Sequence, residues 1–472
     1  MAFDPTPYRT IIKNVDPIQS IGKVTQVIGL TVECSGLSAR MGDLCRIYAG
    51  NGEEYFMAEV VGFRESRVLL MPLGELVGVG ADNYVVSTNE TLQVPVGKNL
   101  LGRVVDAFGN PMDEGPAIVP ETFYNISNPP PNPLTRKRIN EVMPLGIKAI
   151  DSLLTIGRGQ RIGIFAGSGV GKSTLLGMMA RNAQADVNVI VLVGERGREV
   201  RDFIEKDLQE EGLKKSVLVV ATSDLPALAR VKAANTGTAI AEYFRDQGLD
   251  VLLLADSLTR FAMAQREIGM AIGEPPVSRG YTPSVYAVMP KLLERSGTAE
   301  NGTITGLYTV LVEGDDMNEP ISDTVRGILD GHIVLSRQLA HANHYPAIDV
   351  LASISRLMPD IVEKEHYGQA GFIKNMMSTY REAEDLISIG AYRKGSSAQI
   401  DQAVDLHEDI DDFLIQSVDD PSSYEETLDR MYALGQNGTE ELPPDGGGGL
   451  RQPPASNPND PFGLGNPIGL NR

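Results

Sequence analysis

Arg161-Ile-Gly-Ile-Phe-Ala-Gly-Ser-Gly-Val-Gly-Lys172-Ser173-Thr174-Leu-Leu decides how the rest of the chain is read. An apolar strand runs through a glycine-rich turn directly into a helical pattern, the setting of a phosphate-binding loop. Gly167, Gly169 and Gly171 let backbone N–H groups curl round an anion without Cβ obstruction, with Ser168 and Val170 completing the turn. The helix that starts at Lys172 aims the positive end of its dipole at the same place. Lys172 is expected to reach the β- and γ-phosphates of a nucleoside triphosphate, with the Ser173 hydroxyl ligating Mg²⁺ and Thr174 beside it in the first turn. The strict pattern opens with glycine where this chain has Ala166, a position that needs only ordinary backbone conformation.

Two carboxylates stand where such a loop needs them. Asp250-Val-Leu-Leu-Leu-Ala-Asp256 reads as an apolar strand that ends in an acid, the arrangement that presents Asp256 to the water shell of the magnesium. Ser257 follows it, so no adjacent acid is available to orient an attacking water. Glu195 is the candidate for that task. It comes directly after the strand Asn188 to Val193 and a turn at Gly194, and ligands in parallel sheets sit beyond the carboxyl ends of the strands. Glu199 lies one helical turn further on, and Arg198 and Arg201 are the ion-pair partners Glu195 would have if it were merely a surface acid.

Outward from this core, strand-like runs alternate with helical patterns from about 144 to 359 (Arg161 to Ala166, Asn188 to Val193, Val217 to Ala221, Val251 to Ala255, Thr303 to Val312). The alternation predicts an α/β domain with a largely parallel sheet. Residues 20–95 alternate in short segments (Val24 to Val27, Cys45 to Tyr48, Phe56 to Val61, Val68 to Met71) broken by Gly, Asn-Gly and Asp, which predicts a small antiparallel β-barrel or sandwich. A connector, 96–143, includes the proline run Pro129, Pro130, Pro131 and Pro133, and residues 360–436 turn to helical periodicity, with Ser422 and Glu425 spaced as a capping box. Segment 1–19 precedes the barrel. The stretch 437–472 is expected to be a disordered tail, since its last 30 residues hold seven prolines and seven glycines and little apolar surface.

The 472 residues carry 42 Lys and Arg against 62 Asp and Glu, a net charge of −20. That acidity disfavours nucleic acid and anionic membrane as partners. Cys34 and Cys45 are too few for a disulfide framework and wrongly spaced for zinc, so buried thiols in a reducing cytoplasm are expected. No stretch resembles a signal peptide or reaches the length of a membrane helix, so a soluble cytoplasmic protein is expected. His341 and His344 share helical spacing, but no further ligand completes a metal site around them.

With these residues in place, the chain resembles the catalytic subunits of rotary ATPases and the type III secretion ATPases, the flagellar protein-export branch above all. The resemblance spans about Gly22 to Leu434. It is carried by Leu101-Gly-Arg-Val-Val-Asp-Ala-Phe-Gly-Asn-Pro, Gly194-Glu-Arg-Gly-Arg-Glu-Val, Asp256-Ser-Leu-Thr-Arg-Phe-Ala, Gly314-Asp-Asp-Met-Asn-Glu-Pro, Leu329-Asp-Gly-His-Ile-Val-Leu-Ser-Arg and Tyr345-Pro-Ala-Ile-Asp. It implies a RecA-like P-loop core between the barrel and the helical domain, with ATP and Mg²⁺ as ligands. It further implies Glu195 as the carboxylate that polarises the hydrolytic water and Arg196 as a nearby phosphate contact. Tyr345 would lie against the adenine ring, and Arg356 would be an arginine finger given to the neighbouring subunit's site. A finger acting in trans implies a ring, by resemblance a homo-hexamer. The implied partners are a regulator bound by the N-terminal segment, a stalk-like protein, chaperones and export substrates. The implied location is the inner face of the cytoplasmic membrane, at the export gate.

Four readings compete within these bounds, the first of them an export ATPase with a flagellar and an injectisome branch. The flagellar reading is favoured over the injectisome reading by Gly314 to Pro320 and by Ile389-Gly-Ala-Tyr-Arg-Lys-Gly-Ser, although Ser397-Ala398 stands where the flagellar family usually has Asn-Pro. The catalytic chain of a proton-coupled synthase would carry different wording at 314–320 and a conspicuously acidic motif in its helical domain. A non-catalytic ring subunit would lack Glu195. An RNA-translocating motor would need a basic, aromatic-rich strand-binding face in its N-terminal domain, and none is evident.

Overall fold

The computed structural model describes residues 20–50, 54–312, 314 and 316–439, with side chains described as far as 435. The expectations for segment 1–19 and for the tail lie outside the described residues, except at 437–439, which are helical rather than the start of a disordered tail.

Six short strands close into a barrel: β1 (Ile21–Ile28), β2 (Thr31–Ser35), β3 (Asp43–Ala49), β4 (Glu54–Arg64), β5 (Arg67–Pro72) and β6 (Tyr84–Thr91). Their order round the barrel is β1-β2-β5-β4-β3-β6, every pairing antiparallel. Alternate residues such as Cys34, Cys45, Ile47 and Leu70 fill the interior. Both thiols are free and buried, and burial pushes them up to about 11 and about 12, so neither is a ready nucleophile. Strands β2 and β6 escape the sequence reading, because Thr-Val-Glu-Cys-Ser is too short and Tyr84–Thr91 too polar to show a period.

The stretch expected as a connector is more structured than its prolines suggest. β7 (Gln93–Val96) pairs with β9 (Thr122–Asn125), and between them β8 (Val104–Asp106) joins the edge of the central sheet beside β12. The core then runs α1 (Lys148–Leu153), β10 (Arg161–Ala166), α2 (Lys172–Asn182), β11 (Val187–Glu195), β12 (Ser216–Thr222), α3 (Ala227–Asp246), β13 (Asp250–Asp256), α4 (Leu258–Ile272), β14 (Gly297–Thr298), β15 (Thr303–Leu311), α5 (Pro320–Ile328), β16 (Gly331–Leu335) and β17 (Ile348–Ser355). The sheet order is β17-β16-β10-β15-β13-β11-β12-β8, parallel throughout except for β17, with β14 pairing antiparallel to β15. The five expected strands are all present. β16 and β17 were not anticipated, because their residues alternate buried and partly exposed at one side of the sheet instead of forming an unbroken apolar run.

Both faces of the sheet are covered, as a parallel sheet requires. On β11, Val189, Val191 and Val193 belong to the apolar layer that holds Phe244 of α3 and Phe261 of α4. Ile190 and Leu192 point into the opposite layer, which holds Leu176 and Met179 of α2. That second layer continues without a break into the helical domain, α6 (Lys364–Ser388), α7 (Ala398–Leu414) and α8 (Tyr424–Thr439), through Ile373, Met376, Phe413 and Met431. The capping box of α8 is one residue later than its sequence spacing suggested. Ser423 Oγ accepts from the Glu426 N–H at 3.2 Å and Glu426 Oε2 from the Ser423 N–H at 3.3 Å, while Ser422 is buried against Thr427.

Buried ion pairs tie the layers together. Lys232 of α3 meets Glu59 of β4 at 2.5 Å, joining the core to the barrel. Arg295 makes two 2.8 Å bonds to Glu242 of α3, with both side chains at most 3% exposed. Replacing one partner strands the other's charge in the interior. Arg295→Met is therefore expected to lower unfolding stability by about 3–5 kcal/mol in urea titrations, and Arg295→Met/Glu242→Leu to recover most of the loss. A double variant no more stable than the single one would contradict this assignment.

Candidate functional site

The turn after β10 forms because its glycines accept conformations that a side chain resists. Gly169 has φ +78° and Gly171 φ +85°, and α2 begins at the next residue. The loop, the carboxyl ends of β11 and β15 and the start of α4 enclose a cavity of about 720 Å³, within the range of small-ligand sites; Asp256 at the end of β13 is buried and does not itself line it. Gly167, Ser168, Gly169, Gly171, Lys172, Ser173, Thr174, Glu195 and Arg196 line it. Val170 differs from its neighbours: its side chain is 2% exposed in the core, so it offers the cavity nothing but backbone.

At the base of the cavity Lys172 Nζ lies 2.5 Å from Asp256 Oδ1 and 3.9 Å from Glu195 Oε1. Asp256 Oδ1 also accepts from Thr309 Oγ1 of β15 at 2.7 Å. Glu195 reaches the cavity through a bulge. Val193 pairs with Ala221 and Glu195 with Thr222, leaving Gly194 unpaired at φ +71°. A Cβ at Gly194 would sit 3.1 Å from Arg260 Cβ, so the glycine both makes the bulge and lets Arg260 pass. The strand thus runs through Glu195 rather than ending at Val193. Burial, and next the Asp256 charge, push the Glu195 carboxyl up to about 7 against the opposing pull of Lys172, with Glu199 adding to the rise. Arg198 and Arg201 pair instead with Asp202 and Glu205, so Glu195 is not held as a surface ion pair.

Arg196 stands on the rim, strongly exposed, 3.9 Å from Glu199 Oε1. Tyr345 is near the loop without lining the cavity. Its ring atoms Cε1 and Cδ1 lie 3.3 and 3.5 Å from where a Cβ on Gly171 would be, and the residue is 39% exposed. Arg356 is elsewhere. It follows β17, whose Ser355 pairs with Gly331 at the start of β16, whereas the loop follows Ala166, which pairs with Leu335 at the end of β16. Arg356 therefore sits at the opposite end of the strands from its own cavity, exposed, its guanidinium donating to the Arg326 carbonyl at 3.3 Å.

Arg260 and Thr309 were not singled out from sequence. Arg260 lines the cavity from the first turn of α4, and its buried Nε has no hydrogen-bond partner. A cation four residues after the strand-ending Asp256, at the start of the following helix, is the signal that would have found it. Thr309 carries no such signal, since it is one polar residue inside an apolar strand.

The donor set suits Mg²⁺. Ser173 offers a hydroxyl at the start of α2 and Asp256 a carboxylate, both hard oxygen ligands. Among the described residues no group of three or more His, Cys, Asp or Glu could cage a metal by itself. A cation here would therefore draw most of its ligands from phosphate and water, as Mg²⁺ does.

A glycine-rich loop with its lysine at a helix start, facing two strand-end carboxylates on a parallel sheet, defines a P-loop nucleoside triphosphatase. Residues 146–355 match the profile of the ATP synthase alpha/beta family, nucleotide-binding domain; 24–89 match that family's beta-barrel domain, and 362–433 the T3SS EscN ATPase C-terminal domain. The flagellum-specific ATP synthase of Bacillus subtilis is 56% identical over 90% of this chain and 98% of its own length. The type 3 secretion system ATPase of Xanthomonas euvesicatoria is 52% identical over 88% and 93%. Among solved structures, the assembled ATPase EscN from the type III secretion system of enteropathogenic E. coli superposes with a TM-score of 0.83 at 46% identity, covering 88% of this chain and 99% of that one. The chain belongs to the ATP synthase alpha/beta family, among its flagellar and type III secretion ATPases.

Two expectations follow from the geometry. Protonation of Glu195 removes its ability to accept a proton or hydrogen bond from water, so kcat/KM for Mg-ATP should fall on acidification below about pH 7; a flat profile between pH 5.5 and 8 would contradict this. The chain has no tryptophan, so Tyr345→Trp introduces a single indole next to the loop. Mg-ATP should change its emission and Mg-tripolyphosphate, which has no base, should not; equal responses would remove Tyr345 from the base site.

Proposed function

We propose that this chain hydrolyses ATP to energise export of flagellar proteins through a type III secretion apparatus, working as a homo-hexameric ring with its sites between neighbours. The observation that carries the reading is the Lys172, Asp256 and Glu195 cluster beneath the glycine loop. One cation there faces two acids, and a triphosphate with its metal exchanges partners with all three. The loop N–H groups and Lys172 would hold the β- and γ-phosphates. Ser173 and Asp256 would hold Mg²⁺, directly or through water, and the ion supplies charge neutralisation on the phosphate oxygens. Glu195 would accept a hydrogen bond from a water in line with the γ-phosphorus. As the water oxygen bonds to that phosphorus, the bond to the β–γ bridging oxygen breaks, giving ADP and phosphate. Arg196 and Arg260 would meet phosphate charge from the rim and from α4.

Arg356 cannot serve its own cavity from the opposite end of the strands, which supports its acting on a neighbour. A guanidinium there offsets transition-state charge worth roughly 10³–10⁵ in rate. The structure of EscN in complex with its central stalk EscO supports a stalk-like partner here too. Chaperones, export substrates, a regulator and docking at a membrane export gate belong to the same reading. Among the described residues no helix is long and apolar enough to cross a membrane, so such docking would be peripheral. The injectisome role is the competing reading, favoured by the Xanthomonas relative and by Ser397 in place of the flagellar wording. Ser397 has a local task, since its Oγ accepts from the Ile400 N–H to cap α7. Loss of motility with secretion otherwise intact in a deletion strain supports the flagellar role, and intact motility would overturn it.

Glu195→Gln should retain nucleotide binding and lose nearly all turnover; turnover equal to wild type would remove Glu195 from its role. Arg356→Ala and Lys172→Ala should each be inactive alone. Mixed in one ring they should regain activity at up to roughly a quarter of the interfaces, where an intact loop meets an intact finger. No recovery from mixed rings would place Arg356 outside the neighbour's site.

A further inference from the structure

Gln416 lies in the segment that leaves α7, is 3% exposed, and engages a different stretch of backbone with each of its polar groups. Its N–H donates to the Tyr345 carbonyl at 2.9 Å. Its side-chain Oε1 accepts from the Lys148 N–H at 3.0 Å, and Nε2 donates to the Gly146 carbonyl at 2.9 Å and to the Asp420 carbonyl at 2.8 Å. The turn it grips is rigid: the buried Asp151 carboxylate accepts from the N–H groups of Leu145 and Gly146 at 2.9 and 2.8 Å. Lys148, 5% exposed, sends its ammonium to Asp420 at 2.9 Å, closing the arrangement. Gln416 is thus anchored to the core by its side chain and to Tyr345 by its backbone. Tyr345 stands two residues after Asn343, at φ +61°, in the link to β17, with its ring partly exposed.

We propose that Gln416 is a positioning residue for Tyr345, so that affinity for the adenine base is set in part from the helical domain. The proposal rests on the reading that Tyr345 packs on the base. A neutral amide suits the position because it must donate twice and accept once. A carboxylate of the same size would lose both donations and face two carbonyls. Coupling of this kind is reciprocal: base binding should tighten the Gln416 segment as much as that segment favours the base.

The test measures KM and kcat of the full chain for Mg-ATP in Gln416→Met, Gln416→Glu, Tyr345→Ala and Tyr345→Ala/Gln416→Met. Either change at Gln416 should raise KM about tenfold, the order of one aromatic stack on a base, with kcat nearly unchanged. The double variant should be no worse than Tyr345→Ala alone, because nothing remains to position. A rise in KM for Tyr345→Ala with none for Gln416→Met, or additive effects in the double variant, overturns the proposal. An unchanged KM in Tyr345→Ala is instead a failure of the base reading. The wild-type chain provides a measurement that no folding defect confounds: the Gln416 amide should exchange hydrogen more slowly with Mg-ATP than with Mg-tripolyphosphate, and equal protection overturns the proposal.

Discussion

One ammonium held against two carboxylates at the end of a parallel sheet is the constraint on which the rest of the structure depends. Lys172 is fixed 2.5 Å from Asp256 because the glycine turn starts α2 at that residue and because β13, two strands away across β15, ends at the acid. Glu195 arrives from β11 through the Gly194 bulge, in a half-shielded position that keeps its carboxyl near neutrality in proton affinity. The three groups partner one another beneath the loop. On the proposed function, a triphosphate with a hard divalent cation would take over each member's partner.

The sheet also separates the loop from Arg356. The loop lies at the carboxyl ends of the parallel strands, while β17, running antiparallel, returns Arg356 to their amino ends. On the proposed function, each subunit would offer its loop to one neighbour and Arg356 to the other, a heterologous contact that gives a ring where its rotation closes. The barrel is tied to this core by Lys232 and Glu59. The helical domain shares an apolar layer with the sheet.

Much of this is legible in the residues themselves. The loop, both acids and five parallel strands are written in unbroken apolar runs and in glycine spacing, where local chemistry and tertiary role agree. The elements that stay hidden share one property: their stability comes from neighbours. β6 is too polar to announce itself, β8 is three residues long, and β17 alternates buried and exposed positions at the edge of the sheet. Arg356 is one arginine among many until the sheet register shows at which end of the strands it lies. Gln416 is similarly silent, because its four hydrogen bonds reach residues 4 to 270 positions away in the chain. The capping box of α8 was misplaced by one residue because Ser422 and Ser423 both fit the spacing, and only burial of the first decides between them.

Titration calorimetry of Mg-ATP into wild-type chain and Lys172→Ala, both verified as folded, tests the central claim most directly. Saturable heat is expected for wild type, with affinity weaker by about a hundredfold in the variant, as loss of a charge-assisted phosphate contact requires. Absence of binding heat in wild type, or equal affinity in the two proteins, would contradict a triphosphate seated on this loop.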